Sequence, residues 1–114
     1  RVDITLFIMW HYDQTVNLDE ILASEKPTVI IKHSNRCSIS SMALNRILTI
    51  EKELNASSEV VLLDVVANRD VARKITADLG ITHESPQVII ISDGKVVYQN
   101  SHMSIRPNEM LSHL

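Results

Sequence analysis

The segment TVIIKHSNRCSIS, from Thr28 to Ser40, contains the one cysteine of the chain, between a strand pattern and a helical pattern. The β-branched run from Val29 to Ile31 is typical of a buried strand. After position 38, apolar residues recur with the 3.6-residue period of an amphipathic helix. Cys37 is therefore predicted at the N-terminus of that helix. Unpaired backbone N–H groups and the helix dipole favour the thiolate there, which is the reactive form of cysteine.

The patterns on both sides of this segment predict an α/β fold. Strands are predicted over residues 4–10, 28–32, 60–66, 88–91 and 96–98, and helices over 18–22, 38–54, 68–79 and from 107 onward. A parallel strand–helix–strand unit comes first, and a hairpin with an Asp93-Gly94 turn comes last. That order is thioredoxin-like: three α/β/α layers around a mixed central sheet of about five strands, with about four helices. The length of 114 residues predicts a single domain over residues 1–114.

Composition excludes several classes of function. A net charge of −3 gives no general attraction to nucleic acid or to an anionic membrane. The apolar run over residues 4–10 is too short to span a bilayer. It also lacks the basic leader and the cleavage site of a signal peptide, so we interpret it as a strand. A single cysteine cannot form an internal disulfide, and we therefore expect a cytoplasmic protein.

Ser40 lies three residues after Cys37, where a protein that resolves its own mixed disulfide has a second cysteine. A serine cannot attack a disulfide, so a second molecule must complete any exchange that Cys37 begins. We predict that Ser40, Arg36 and Ser38 stabilise the thiolate through hydrogen bonds and the charge of Arg36. Other interpretations remain open: a small buried hydrophobe for Cys37 and an ordinary first-turn residue for Ser40. Lys32 and Arg36 are either positive charges for an anionic thiol ligand or solvated surface charges.

A second motif, HESPQ at residues 83–87, directly precedes a predicted strand. In a thioredoxin-like order, the proline at this position is cis and faces the reactive thiol. The backbone before it is then free to pair with an extended substrate. The predicted substrate-binding residues are Ser85, Pro86, Glu84 and His33. A trans proline that only starts a strand is the alternative.

The histidines raise the question of a metal site. Together with Cys37, the candidates His33, His83 and His102 lack the paired, regular spacing of zinc ligands, so we predict no metal. His102 is expected to cap structure before the last helix.

Several motifs together resemble the monothiol bacilliredoxin family, the thioredoxin-fold proteins of the bacillithiol system. They are KHSNRCSISS at residues 32–41, EVVLLD at 59–64, NRDV at 68–71, HESPQV at 83–88 and SH at 101–102. The resemblance covers the chain from about residue 15 to its end. At the reactive turn the family often has Thr-Cys-Pro-Ile, whereas this chain has RCSI at residues 36–39. The missing proline frees one N–H at the helix start, and Arg36 adds local positive charge.

The resemblance implies a thiol–disulfide oxidoreductase of the monothiol type that acts in redox homeostasis. Cys37 would attack mixed disulfides between cytosolic proteins and bacillithiol, and would take bacillithiol onto itself. Bacillithiol is thus implied as the thiol co-substrate, and bacillithiolated cytosolic proteins are implied as partners. Another bacillithiol molecule or a partner reductase would regenerate the thiol.

Two other functions are compatible with the same residues. A non-catalytic thioredoxin-like binding module would hold its partner at the Ser85-Pro86 edge without using Cys37. An iron–sulfur carrier would use Cys37 from two chains, bridged by a small thiol.

Overall fold

One mixed β-sheet lies at the centre of this computed structural model, which describes residues 17–114. The strands found there are β1 (Thr28–His33), β2 (Glu59–Asp64), β3 (Gln87–Ser92) and β4 (Lys95–Ser101). Their order in the sheet is β2-β1-β3-β4. β1 pairs in parallel with β2 and antiparallel with β3, and β3 pairs antiparallel with β4. The strand predicted over residues 4–10 lies outside the described residues.

Helices and one 3₁₀ turn surround this sheet. Within residues 17–114 they are α1 (Leu18–Ala23), α2 (Ser38–Leu48), α3 (Glu51–Ser57), α4 (Arg69–Leu79), the 3₁₀ turn His102–Ser104 and α5 (Pro107–Leu111). Asn17 caps α1 by accepting a hydrogen bond from the Glu20 N–H. Gly80 ends α4 in the left-handed conformation that its lack of a side chain allows, as predicted. None of the described helices is long and apolar enough to cross a membrane.

The helix predicted over residues 38–54 is in fact two helices, so that prediction is wrong. Ile50 leaves the helical conformation, with φ −114° and ψ 24°. The Thr49 hydroxyl donates to the Arg46 carbonyl at 2.6 Å, which is a local alternative to continued helical bonding. Ile50 at the break and Leu54 in the helix after it are both buried in the core. Tertiary packing therefore decides where α2 ends, and periodicity alone does not show it.

The second parallel strand ends at Asp64, two residues before the predicted end at 66. The Asp64 carboxylate accepts hydrogen bonds from the N–H groups of Val66 at 2.9 Å and Ala67 at 3.2 Å, and this turns the chain out of the sheet. The predicted hairpin is confirmed, because Asp93 and Gly94 have positive φ values of 53° and 78° between β3 and β4.

Helices cover both faces of the sheet, which confirms the predicted three α/β/α layers. Alternate side chains of β1 point to opposite faces and so supply two separate cores. One core lies between the sheet and α2, α3 and α5, and includes Ile31, Ile47 and Leu54. The other lies on the side of α1 and α4, and includes Ile30 and Ile75.

Strand register brings the two predicted motifs to the same end of the sheet. Lys32 of β1 lies opposite Gln87 of β3, and these are the residues where β1 is about to end and β3 begins. The turn that leads from β1 to Cys37 and the segment that ends at Pro86 are therefore neighbours. The candidate functional site lies at this end of the sheet.

Candidate functional site

Cys37 is the N-cap residue of α2, in an extended conformation with φ −114° and ψ 119°. Its carbonyl accepts a hydrogen bond from the Ser41 N–H at 3.1 Å, and its own N–H donates to the Ser34 carbonyl at 3.3 Å. Cys37 forms no disulfide, and the residue is half-buried. The predicted place of Cys37 is confirmed, and its interpretation as a sealed core residue is wrong.

A buried hydrogen-bonded network holds the turn before Cys37. Burial lowers the pKa of His33, so the imidazole is neutral at pH 7. Its Nε2 donates to the Asn35 Oδ1 at 2.8 Å, which leaves Nδ1 as an acceptor. The Ser40 hydroxyl donates to that Nδ1 at 2.7 Å and accepts from the Ser34 N–H at 2.9 Å. The network joins the end of β1 to the first turn of α2.

To stabilise the Cys37 thiolate as predicted, Ser40 would have to donate its hydroxyl proton to the sulfur, but this network already uses that proton. Ser40 is 1% exposed, and its single proton is donated to His33 rather than towards the thiol. His33 is 4% exposed, with both ring nitrogens hydrogen-bonded inside the protein. The thiolate-stabilising role of Ser40 and the substrate contact of His33 stay predictions. The structure gives both side chains an internal role that holds the reactive turn.

Arg36 and Ser38 are exposed on either side of Cys37. Arg36 also lines a cleft of about 300 Å³ that lies between the reactive turn and the loop after β2. The other lining residues are Asn35, Asp64, Val66 and Ala67. The cleft therefore contains the cation of Arg36, the residue directly before Cys37, together with the carboxylate of Asp64. Stabilisation of the thiolate by Arg36 and Ser38 stays a prediction.

The HESPQ segment forms the other side of the site. The Ser85-Pro86 peptide bond is cis, as predicted. Pro86 is buried and its carbonyl accepts from the His102 N–H at 3.0 Å, which joins the segment to the 3₁₀ turn. Ser85 and Glu84 are half-buried, and the backbone of Ser85 makes no hydrogen bond to the rest of residues 17–114. Its N–H and C=O are free to pair with an extended peptide.

Lys32 is completely buried, so its interpretation as a solvated charge is wrong. Its Nζ lies 2.6 Å from the His83 Nδ1 and donates to the Gln87 Oε1 at 2.7 Å. Sequence reasoning missed this cluster. The available signal was the position of a lysine inside an otherwise apolar strand, where a side chain has to find polar partners within the fold.

The titration of Lys32 gives a prediction about stability. Burial lowers the pKa of Lys32 to about 8, from 10.5 for an unperturbed lysine. Between these two pH values the unfolded chain binds a proton that the folded protein has released, so the free energy of unfolding rises with pH. We expect the wild type to gain stability relative to Lys32→Met from pH 8 to pH 10, as measured by urea denaturation. The exposed Lys74→Met should show no such gain, and a flat difference for Lys32→Met would contradict the burial of its charge.

The described residues contain no group of three or more histidine, cysteine, aspartate or glutamate side chains that is arranged to hold a metal ion. Glu84 instead approaches a single histidine, with its Oε1 3.7 Å from the His102 Nε2. His102 begins the 3₁₀ turn, and its carbonyl accepts the Ile105 N–H within that turn. The N-cap residue of α5 is Arg106, so the capping role of His102 stays a prediction.

The sequence matches the family described as Monothiol bacilliredoxin BrxC over residues 12–110, which is most of the chain. The chain belongs to the monothiol bacilliredoxin family. The match includes both Cys37 and the HESPQ segment, and it confirms the resemblance found in the motifs. The single cysteine of this bacilliredoxin fits the monothiol type. Membership supports thiol–disulfide redox chemistry as the class of function.

Solved structures confirm the thioredoxin-like fold. A thioredoxin-fold protein proposed to be an oxidoreductase superposes with a TM-score of 0.79 at 21% identity, over 97% of this bacilliredoxin and 98% of that chain. A thioredoxin variant from Halobacterium salinarum gives 0.64 at 14% identity, over 90% and 84%. Thioredoxin from Malassezia sympodialis gives 0.62 at 15% identity, over 82% and 76%. At these identities the likeness concerns the fold.

Proposed function

We propose that this protein is an enzyme, a monothiol thiol–disulfide oxidoreductase that removes bacillithiol from mixed disulfides with cytosolic proteins. The observation that carries the proposal is a single, partly exposed cysteine at a helix N-terminus in a chain of the bacilliredoxin family. Ser40 occupies the position of a second, resolving cysteine, and its hydroxyl is committed to His33. A monothiol mechanism follows from this arrangement.

In the proposed reaction, the Cys37 thiolate attacks the bacillithiol sulfur of the mixed disulfide. The bond between that sulfur and the substrate cysteine breaks, and the substrate cysteine leaves as a thiolate that takes up a proton. Bacillithiol is then joined to Cys37 by a new disulfide. A second bacillithiol thiolate attacks the bound bacillithiol sulfur, which releases bacillithiol disulfide and restores the Cys37 thiolate. A partner reductase that supplies two electrons can replace this second step.

The surroundings of Cys37 support a protein substrate. The backbone of Ser85, which has no hydrogen-bond partner in the described part of the chain, offers hydrogen bonds to an extended peptide, beside Pro86 and Glu84. Ile39, Met42 and Met103 are 42%, 53% and 54% exposed on α2 and on the 3₁₀ turn that contacts it. Exposed methionine and isoleucine side chains suit adaptable apolar contacts with more than one partner. The cytosol is the compartment in which such substrates and bacillithiol would meet the protein.

Intact-mass spectrometry tests the proposal. The protein is incubated separately with bacillithiol disulfide and with glutathione disulfide, and the mass is followed with time. The expected result is one bacillithiol adduct per chain, formed faster than the glutathione adduct. No adduct with either disulfide would overturn the exchange function, and a faster glutathione adduct would overturn the assignment of bacillithiol.

The cleft beside Arg36 gives a prediction about the small thiol. Arg36 is placed to attract an anionic thiol such as bacillithiol, and one exposed charge pair contributes up to about 1 kcal/mol. We expect Arg36→Gln to raise KM for bacillithiol disulfide about two- to five-fold, with little change for uncharged hydroxyethyl disulfide. Lys95→Gln, at the hairpin on the opposite end of the sheet, removes the same charge and should change neither KM value. An equal effect of Arg36→Gln on both disulfides would contradict this role.

A further inference from the structure

Lys32, His83 and Gln87 form a hydrogen-bonded cluster behind the Ser85-Pro86 edge, in which Lys32 and Gln87 are completely buried and His83 is half-buried. Lys32 lies on the central strand, on the opposite face of the sheet from the His33 network. Its two partners, His83 and Gln87, stand at the two ends of the HESPQ segment. A single ammonium group therefore contacts both ends of the segment that contains Ser85 and Pro86.

The amide of Gln87 extends this anchor to the rest of the loop. Gln87 is completely buried, and its Oε1 also accepts from the Glu84 N–H at 3.2 Å. Its Nε2 donates to the Thr82 carbonyl at 3.0 Å and to the Gln99 Oε1 of β4 at 3.3 Å. Lys32 can only donate, so its charge determines that Oε1, rather than Nε2, faces β1. The loop is thus fastened from behind to β1 and β4.

The charges around Lys32 agree with this donor role. Burial and the charge of Lys32 lower the pKa of His83, so at pH 7 its imidazole is neutral and its Nδ1 can accept. Lys32 itself, with a pKa of about 8, is protonated at pH 7 and can donate to both partners. Two other charges act on Lys32: Glu84, which favours its charged form, and Arg73 of α4, which opposes it.

Stability does not account for a buried lysine at this position. The pKa of Lys32 is lowered, which means that the loss of hydration destabilises its ammonium group more than the contacts with its partners stabilise it. An apolar side chain of similar volume often replaces a buried charge with no loss of stability. A methionine would fill the space, but it could hold neither His83 nor Gln87. We therefore look for the role of the cluster in the Ser85-Pro86 edge, whose flanking residues it contacts.

We propose that Lys32 is a positioning residue, which acts through His83 and Gln87 to hold the Ser85-Pro86 edge in place for the protein substrate. This inference rests on the proposed exchange function. Among residues 17–114 the backbone of Ser85 has no hydrogen-bond partner, so its position is determined by the residues on either side of it. Lys32 does not touch the substrate, and it affects the exchange only through the loop.

The test compares Lys32→Met with the wild type in two reactions of Cys37. The first is transfer of bacillithiol from a single-cysteine reference protein that carries it as a mixed disulfide, which requires the substrate edge. The second is alkylation by iodoacetamide, a small reagent that requires only the thiol. We expect Lys32→Met to raise KM for transfer at least ten-fold, while the alkylation rate changes less than two-fold. His83→Ala should show the same separation, and it keeps the proposal testable if Lys32→Met does not fold.

Lys74→Met is the matched control, because Lys74 is 75% exposed on α4 and lies outside the cluster. It should behave as the wild type in both reactions. Equal transfer by Lys32→Met and the wild type would overturn the proposal, and so would a parallel loss in both reactions. Hydrogen exchange of the Glu84 amide, expected to be at least ten-fold faster in Lys32→Met, tests the anchor without a substrate. If the wild type transfers no bacillithiol, the proposed exchange function is wrong. An unchanged exchange rate of the Glu84 amide in Lys32→Met would separately overturn the role of Lys32 as an anchor of the loop.

Discussion

Cys37→Ser is expected to reduce bacillithiol transfer to the uncatalysed rate. The hydroxyl of serine stays protonated at neutral pH and cannot displace a sulfur from a disulfide, so no partial activity should remain. The measurement is release of bacillithiol from a mixed disulfide of a single-cysteine reference protein. The variant should keep the wild-type fold, because the Cys37 side chain makes no capping hydrogen bond to α2.

A displaced cysteine is the matched control for this loss. The double variant Cys37→Ser and Ser57→Cys moves the thiol to the last residue of α3, which is exposed. A helix C-terminus carries partial negative charge and disfavours a thiolate, in contrast to the N-terminus at Cys37. We expect the double variant to stay at the uncatalysed rate. Transfer at the wild-type rate by either variant would show that Cys37 is not the catalytic residue.

Ser40→Ala is expected to lower the free energy of unfolding by about 2–4 kcal/mol. It leaves two buried groups without their partner, the His33 Nδ1 and the Ser34 N–H, and each such group costs about 1–3 kcal/mol. The measurement is urea denaturation, in which the midpoint should fall while the slope stays the same.

Ser41→Ala is the control for Ser40→Ala, on the next residue of the same helix. The Ser41 side chain is half-buried and makes no hydrogen bond to other described residues, so its loss should change the free energy of unfolding by less than about 0.5 kcal/mol. Equal stability of the two variants would contradict the hydrogen-bonded network of His33 and Ser40.

The fold was predictable because its signals are local. The apolar run of β1, the Asp93-Gly94 turn and Gly80 at the end of α4 each encode their structure within a few residues. The predictions failed where distant packing decides the outcome. Ile50 breaks the predicted long helix as it packs in the core, and the Asp64 side chain ends β2 earlier than its apolar run suggests.

The position of the cysteine was predictable for a similar reason. The residues next to Cys37 show that it lies between a strand and a helix. They also show a serine, Ser40, where a second cysteine would be. The partners of the polar side chains were not predictable. The hydroxyl of Ser40 is taken by His33, seven residues earlier, and the amine of Lys32 is held by residues 51 and 55 positions later.

By itself, the sequence determined the α/β order, the place of Cys37 at a helix N-terminus and the lack of a second cysteine three residues later. These follow from hydrophobic period, turn residues and the number of cysteines, which are properties of short segments. Only the tertiary structure decided which polar groups are buried together. A lysine or a serine can face water or the interior with the same local pattern, and the choice depends on partners that the folded sheet brings within hydrogen-bond distance.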